Sequence, residues 1–148
     1  MTTHGASAAV EGSASLAEIL LDAIATGDKQ MTLRPRRSIE PTIGAVVQGS
    51  WRGKDRSAIS SSGYVVHTLE AALWCVDQVG DFAEAVLLAA NLADDADTVA
   101  AVTGQIAGAL WGRSDIPPHW LDRLAWGEEI EAWGQLLLGC TLGGKPHK

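Results

Sequence analysis

Asn91-Leu92-Ala93-Asp94-Asp95-Ala96-Asp97-Thr98 runs directly into Val99-Ala100-Ala101-Val102-Thr103-Gly104-Gln105-Ile106-Ala107-Gly108-Ala109-Leu110-Trp111. Residues 98–112 carry no charge, and their small and aliphatic side chains are expected to form a helix from near Asp97 to about Trp111. The acids stand at its start, where unpaired helix amides favour negative charge. Gly104, Gly108 and Gly112 recur every four residues. Glycine costs about 1 kcal/mol against alanine in a helix interior. Its repetition therefore implies that a second helix backbone approaches closely along that stripe. A helix uncharged over its length is also expected to be buried on most sides, as a central element.

Other helices extend the pattern in both directions. Ser15-Leu16-Ala17-Glu18 is a capping-box spacing followed by Ile19, Leu20, Ala23 and Ile24, so a helix is read over about 16–25, with Gly27 as its stop. Val66, Leu69, Leu73 and Val76 mark a helix over about 64–77, ended by Gly80. Asp81, with Glu84 three residues on, caps another helix that runs to about Asn91. Pro117 and Pro118 open a short helix, and Ile130, Trp133, Leu136 and Leu137 define the last one. Residues 30–56 show no surviving apolar period around Pro35, Pro41 and several glycines, and read as an irregular loop. No strand-type alternation persists, so the fold class is all-α. Residues 1–140 are taken as one domain and residues 141–148 as a disordered tail.

The composition narrows the function classes. The chain has 148 residues, 47% hydrophobic and 20% charged, with a net charge of −7. That is one apolar-cored domain, too acidic overall for a generic nucleic-acid binder, which needs positive surface to displace counterions. No stretch is long and apolar enough to span a bilayer, and no signal peptide is visible, so neither nucleic acid nor membrane is an expected partner. The two cysteines, Cys75 and Cys140, have no metal-ligand spacing. A cytoplasmic location follows as the expectation. Over residues 29–56 seven cations oppose two acids, giving +5 and leaving −12 for everything else. A basic loop of that kind either faces a phosphorylated ligand or is a solvated face balancing an acidic body; the second reading is preferred.

Asp94, Asp95 and Asp97 repel one another unless a cation or helix amides compensate. Asp95, Asp97 and Thr98 offer only oxygen donors, the ligand type that hard divalent cations select. One Asp capping the helix is the alternative for a single residue; three are harder to explain that way. An EF-hand loop does not fit, because the sixth position from Asp95 is Ala100 and the twelfth is Ile106.

Four segments together resemble the ADP-ribosylglycohydrolase family, which includes the dinitrogenase reductase-activating glycohydrolases. They are Ser61-Ser62-Gly63-Tyr64-Val65-Val66-His67-Thr68-Leu69-Glu70-Ala71-Ala72-Leu73-Trp74; Asn91-Leu92-x-x-Asp95-Ala96-Asp97-Thr98; Gly104-Gln105-Ile106-Ala107-Gly108-Ala109-x-x-Gly112; and Ile116-Pro117-x-x-Trp120-Leu121. The resemblance implies an all-α helical bundle holding two Mg²⁺ (or Mn²⁺) ions that bind the ribose of an ADP-ribosyl group. The implied substrate is an ADP-ribosylated protein side chain or a small ADP-ribose conjugate, from which ADP-ribose is hydrolysed. It carries a metal-ligand role to Asp95, Asp97 and Thr98, and a substrate-binding role to Tyr64 with Ser62 and Gly63. His4 of Thr3-His4 matches a Thr-His pair near the substrate pocket of relatives, although its terminal place also fits a frayed residue. His67, within the motif helix, reads as structural, and no catalytic residue is assigned.

Relatives of this type are longer and carry, in their first half, a Gly-Asp turn and a Thr-Asp-Asp-Thr motif that provide the other metal ligands; the region that holds them has no counterpart in this chain. Ala93 stands where the motif usually has glycine. The expectation is therefore the C-terminal part of such a hydrolase, truncated or split, carrying part of a two-ion site and completed by an N-terminal half encoded separately. The alternative is a non-catalytic helical interaction module that presents the glycine stripe as its interface.

Overall fold

The computed structural model describes residues 5–142, and among them every regular element is helical. His4 lies outside the described residues, as do residues 143–148 of the expected tail; Thr141 and Leu142 are still helical. The chain divides into two compact units between Asp115 and Ile116.

The first unit is built around α4 (Val65–Gln78), in which ten of fourteen residues are buried, including every residue from Thr68 to Val76. Against it pack α1 (Ser7–Thr26), α3 (Pro41–Gln48), α5 (Phe82–Ala90) and α6 (Ala96–Trp111), while α2 (Lys29–Thr32) packs on α1. The central helix is thus α4. Helix α6, uncharged beyond Asp97, buries one stripe, formed by Val99, Thr103, Ile106, Ala107 and Leu110.

The first helix begins at Ser7, well before the expected start near Leu16. Ser15 is buried within it and is not its cap. Gly12 makes the extension possible: a Cβ there would lie 3.0 Å from Val65 Cγ2 and 3.4 Å from Ile43 Cδ1, so its bare backbone admits the side chains of α3 and α4. Gly27 stops the helix as expected, at φ 58°.

Residues 30–56 are not an irregular loop. Asp28 Oδ1 accepts from Met31 N to cap α2, and the Glu40 carboxylate accepts from Ile43 N at 2.7 Å to cap α3, which Pro41 opens. Ile43, Val46 and Val47 occupy one face of α3 and are buried, each worth about 1.5–3 kcal/mol. Trp51 is buried behind them and donates its indole N–H to the Val46 carbonyl at 3.0 Å. A helix of eight residues gives too few turns for its period to stand out between two prolines and three glycines.

Six of the seven cations of this segment bond to carbonyls or carboxylates of the fold, although Arg34, Arg52 and Arg56 are exposed residues, as is Arg37; the segment is neither a ligand-facing loop nor simply a solvated one. Lys29 Nζ donates to the Asp77 and Val79 carbonyls at 2.7 Å, where α4 ends. Arg36, almost fully buried, donates to the Thr32 and Arg34 carbonyls and to Asp22. Arg34 also binds Asp22, Arg52 reaches the Gln48 and Leu33 carbonyls, and Lys54 pairs with the buried Glu70 at 2.8 Å.

The glycine stripe of α6 faces α5, and its partners are side chains. A Cβ on Gly104 would lie 3.8 Å from Val86 Cγ2 and one on Gly108 would lie 3.7 Å from Phe82 Cε2, both ordinary contacts. No backbone atom of α5 comes within 4 Å of either Cβ position, although α5 and α6 pack on each other, and Gly104 and Gly108 are only partly buried. Gly112 is the helix stop, at φ 81°.

The second unit holds α7 (Pro118–Leu121) and α8 (Gly127–Leu142), with Glu128 and Glu129 in the first turn of α8. Ile130, Trp133 and Leu137 of α8 are exposed.

Candidate functional site

Two loops of the first unit meet at the start of α6. The 91–95 turn enters the helix through two consecutive left-handed residues, Ala93 at φ 68° and Asp94 at φ 50°. Such backbone costs an L-residue roughly 1–2 kcal/mol and persists only where its surroundings fix it. Here the 61–63 loop fixes it. The buried Ser61 hydroxyl bridges the Leu92 and Ala93 carbonyls at 3.0 Å each, and the Asp95 N–H donates to the Ser61 carbonyl at 3.1 Å. Arg56 adds a guanidinium N–H to the same Leu92 carbonyl.

Gly63 closes the junction. A Cβ at this position would stand 2.7 Å from Asp95 Oδ2, so glycine lets the 61–64 loop lie against that carboxylate without pushing it aside. Asp95 is half-buried at the N-cap position of α6 but accepts no helix N–H; instead it takes the Thr98 hydroxyl on Oδ1 at 2.9 Å. Asp97 and Thr98 are exposed in the first turn. No ion pair among the described residues engages Asp94, Asp95 or Asp97. The simple capping alternative therefore does not describe Asp95.

Tyr64 is half-exposed, and its ring meets the His67 ring edge-on at 5.2 Å. The Ser62 hydroxyl lies 2.7 Å from His67 Nδ1. Below the junction, a cleft of about 270 Å³ opens between α1, α4 and α6, lined by Gly63 and Thr98 together with apolar side chains such as Leu16, Val65, Leu69 and Val102. The structure thus brings Ser62, Gly63 and Tyr64 onto one loop and joins that loop to Asp95 and Thr98. Ser61, Arg56 and His67 were not singled out from the sequence as site residues. The first two act through backbone carbonyls, which residue type and spacing do not reveal.

The donor set suits a hard cation in kind: two carboxylates and a hydroxyl within four residues of one turn. In number it is partial, since such ions take six or more oxygens, and no three His, Cys, Asp or Glu side chains converge among the described residues. Cys75 offers no nucleophile, because burial pushes its thiol up to about 12.

The family model for ADP-ribosylglycohydrolase matches residues 1–145. The chain belongs to the ADP-ribosylglycohydrolase family. It is 49% identical over 136 residues to an ADP-ribosylarginine hydrolase, Tri1, of Pseudomonas putida (strain GB-1), covering 91% of this chain and 37% of that protein. It is 60% identical over 82 residues to the protein of the same name from Serratia proteamaculans (strain 568), covering 55% of this chain and 22% of that one. A solved structure described as an ADP-ribosylglycohydrolase-related protein complex superposes with a TM-score of 0.81 at 41% identity, over 88% of this chain and 47% of that one. The chain therefore spans less than half the length of each of these relatives. No helix among the described residues is long and apolar enough to cross a membrane.

Proposed function

We propose that this chain contributes one wall of an ADP-ribosylglycohydrolase site that releases ADP-ribose from ADP-ribosylated arginine, on a protein or a small conjugate, with Mg²⁺ or Mn²⁺. The observation that carries the reading is the interlock of the two motif loops. Ser61 pins the acidic turn by its carbonyl and its hydroxyl, and Gly63 leaves Asp95 Oδ2 just enough room. Family membership and the names of the two hydrolases agree with it.

In this reading Asp95, Asp97 and Thr98 would hold the cation; while the Thr98 hydroxyl donates to Asp95, its oxygen still has a lone pair to offer. A divalent cation bound there supplies positive charge that orients ribose hydroxyls and makes water a better nucleophile. Tyr64 offers a half-exposed ring beside the acids for an apolar face of the ligand. The Ser61 clamp keeps the carboxylates where the ligand needs them, so little reorganisation accompanies binding. The other cation ligands are assigned to the part of the relatives that this chain does not cover, and the site is placed in the cytoplasm.

The test mixes this chain with the complementary portion of the Pseudomonas putida relative and follows ADP-ribose release from ADP-ribosylated arginine. Release that requires Mg²⁺ or Mn²⁺, and that disappears in Asp95→Ala, is expected. A folded mixture silent with both ions would overturn the reading. It would favour the alternative, a helical interaction module, for which the exposed Ile130, Trp133 and Leu137 of α8 speak at helical spacing.

A further inference from the structure

We propose that His67 is the positioning residue of the 62–64 loop, fixing the Ser62 hydroxyl and the Tyr64 ring where a ligand lying beside Asp95 meets them. The inference deepens the reading above and rests on that loop being part of the ADP-ribose pocket.

His67 stands on the first turn of α4, half-buried, and its contacts all turn back on the loop that precedes the helix. Nδ1 lies 2.7 Å from Ser62 Oγ and 3.2 Å from Ser60 Oγ. A ring nitrogen serves one hydrogen bond at a time, so the shorter distance makes Ser62 its main partner. In the tautomer with the proton on Nε2, Ser62 donates to Nδ1 and its oxygen stays an acceptor; the Tyr64 N–H approaches that oxygen at 3.4 Å. The Tyr64 and His67 rings meet edge to face at 89°, which selects one orientation for a ring that is otherwise half in solvent. Thr68, one residue on, adds its hydroxyl to the Ser62 and Tyr64 carbonyls at 3.4 Å. A histidine that only filled core space would have no need of two loop hydroxyls and an exposed aromatic edge. What His67 organises is the pair of side chains flanking Gly63, the residue pressed against Asp95.

Tyr64 is the chain's one tyrosine, so ring-labelled protein gives a single set of tyrosine signals. The experiment titrates free ADP-ribose, with Mg²⁺ present, into the wild-type chain, His67→Asn and His67→Phe, and follows Tyr64 by NMR. Asn keeps a polar group near the Nδ1 position but removes the ring; Phe keeps the ring edge but removes the hydrogen bond. The proposal expects His67→Phe to weaken ADP-ribose binding about tenfold, the worth of one good hydrogen bond, and His67→Asn to stay within about threefold of wild type. It expects the thermal midpoints of the two variants to agree. Losses that merely follow a fall in thermal midpoint, or no loss in either variant, would overturn it. If ADP-ribose leaves the wild-type Tyr64 signals unmoved, the pocket reading fails, and His67 is then judged on the free chain. Shifted Tyr64 signals in His67→Asn, from the lost ring, together with a broadened Ser62 amide in His67→Phe support the assignment, and unchanged spectra overturn it.

Discussion

Residues 29–56 carry seven cations and residues 94–97 three acids, and the two stretches stand out equally in the sequence. In the folded chain six of the seven cations are tied down: Lys29 and Arg56 on carbonyls outside the segment, Arg36 and Arg52 largely on carbonyls within it, and Arg34 and Lys54 on carboxylates. The acids receive one side-chain hydrogen bond among them, from Thr98 to Asp95, although the backbone beneath them is firmly fixed. Charge whose bonding capacity is used up inside the fold serves the fold. Charge that is held in place, exposed and with few protein partners is open to a ligand. The proposed function rests on that difference between the two stretches, and it can be broken or sharpened by substitution.

The largest effect should come from the basic side. Arg36→Ala strips donors from two carbonyls and from Asp22 in a nearly closed environment, and urea unfolding should show a loss of about 3 kcal/mol. A loss below about 1 kcal/mol would mean that these clamps are ornamental. Gly63→Ala comes next. Its Cβ would push the end of the Asp95 side chain aside, and up to about 1 kcal/mol of stability should go with whatever divalent affinity the turn has, measurable by unfolding and by Mn²⁺ titration of the same variant.

A pH series probes the same contrast. The Arg34 hydrogen bond is the main reason that the Asp22 carboxyl lies below its ordinary value, with Arg36 adding to it against some desolvation. The unfolded chain then binds a proton first as pH falls, so the stabilisation is complete above about pH 4 and fades as pH drops through the folded pKa. Asp22→Asn should flatten the acid side of the stability profile, and an unchanged acid limb would contradict the assignment. Glu40, lowered chiefly by the Thr42 hydroxyl, contributes in the same direction.

Smaller effects belong to the acidic turn. Ala93→Gly removes the cost of a left-handed alanine while adding freedom to the unfolded chain, for a net gain of about 0.5 kcal/mol. Asp97→Asn, at an exposed position, should change stability by less than about 0.5 kcal/mol. A destabilisation of 2 kcal/mol there would place Asp97 with the structural charges and erase the contrast.

The helical class and most helix boundaries were legible because α4, α5 and α6 are long or capped by residues whose side chains announce them, Asp81 above all. The α2–α3 region was not legible. Its helices are four and eight residues long, and what fixes them is a set of cation-to-carbonyl bonds that connect residues far apart in the chain. The burial of α6 was over-read, since small uncharged residues also tolerate partial exposure. At the candidate site, the motif singles out the acids, Tyr64 and Gly63, but the contact of Gly63 with Asp95 is a 2.7 Å encounter across 32 positions of sequence, which only the fold brings about.

Mn²⁺ titration of the ¹⁵N-labelled chain tests the central claim most directly, because a paramagnetic ion broadens the amides nearest to it. The account predicts selective loss of the signals of residues 94–98 and of Gly63, intact signals across 29–56, and no selective loss in Asp95→Ala. Broadening that is absent, spread evenly over the acidic surface, or unchanged in Asp95→Ala would contradict it.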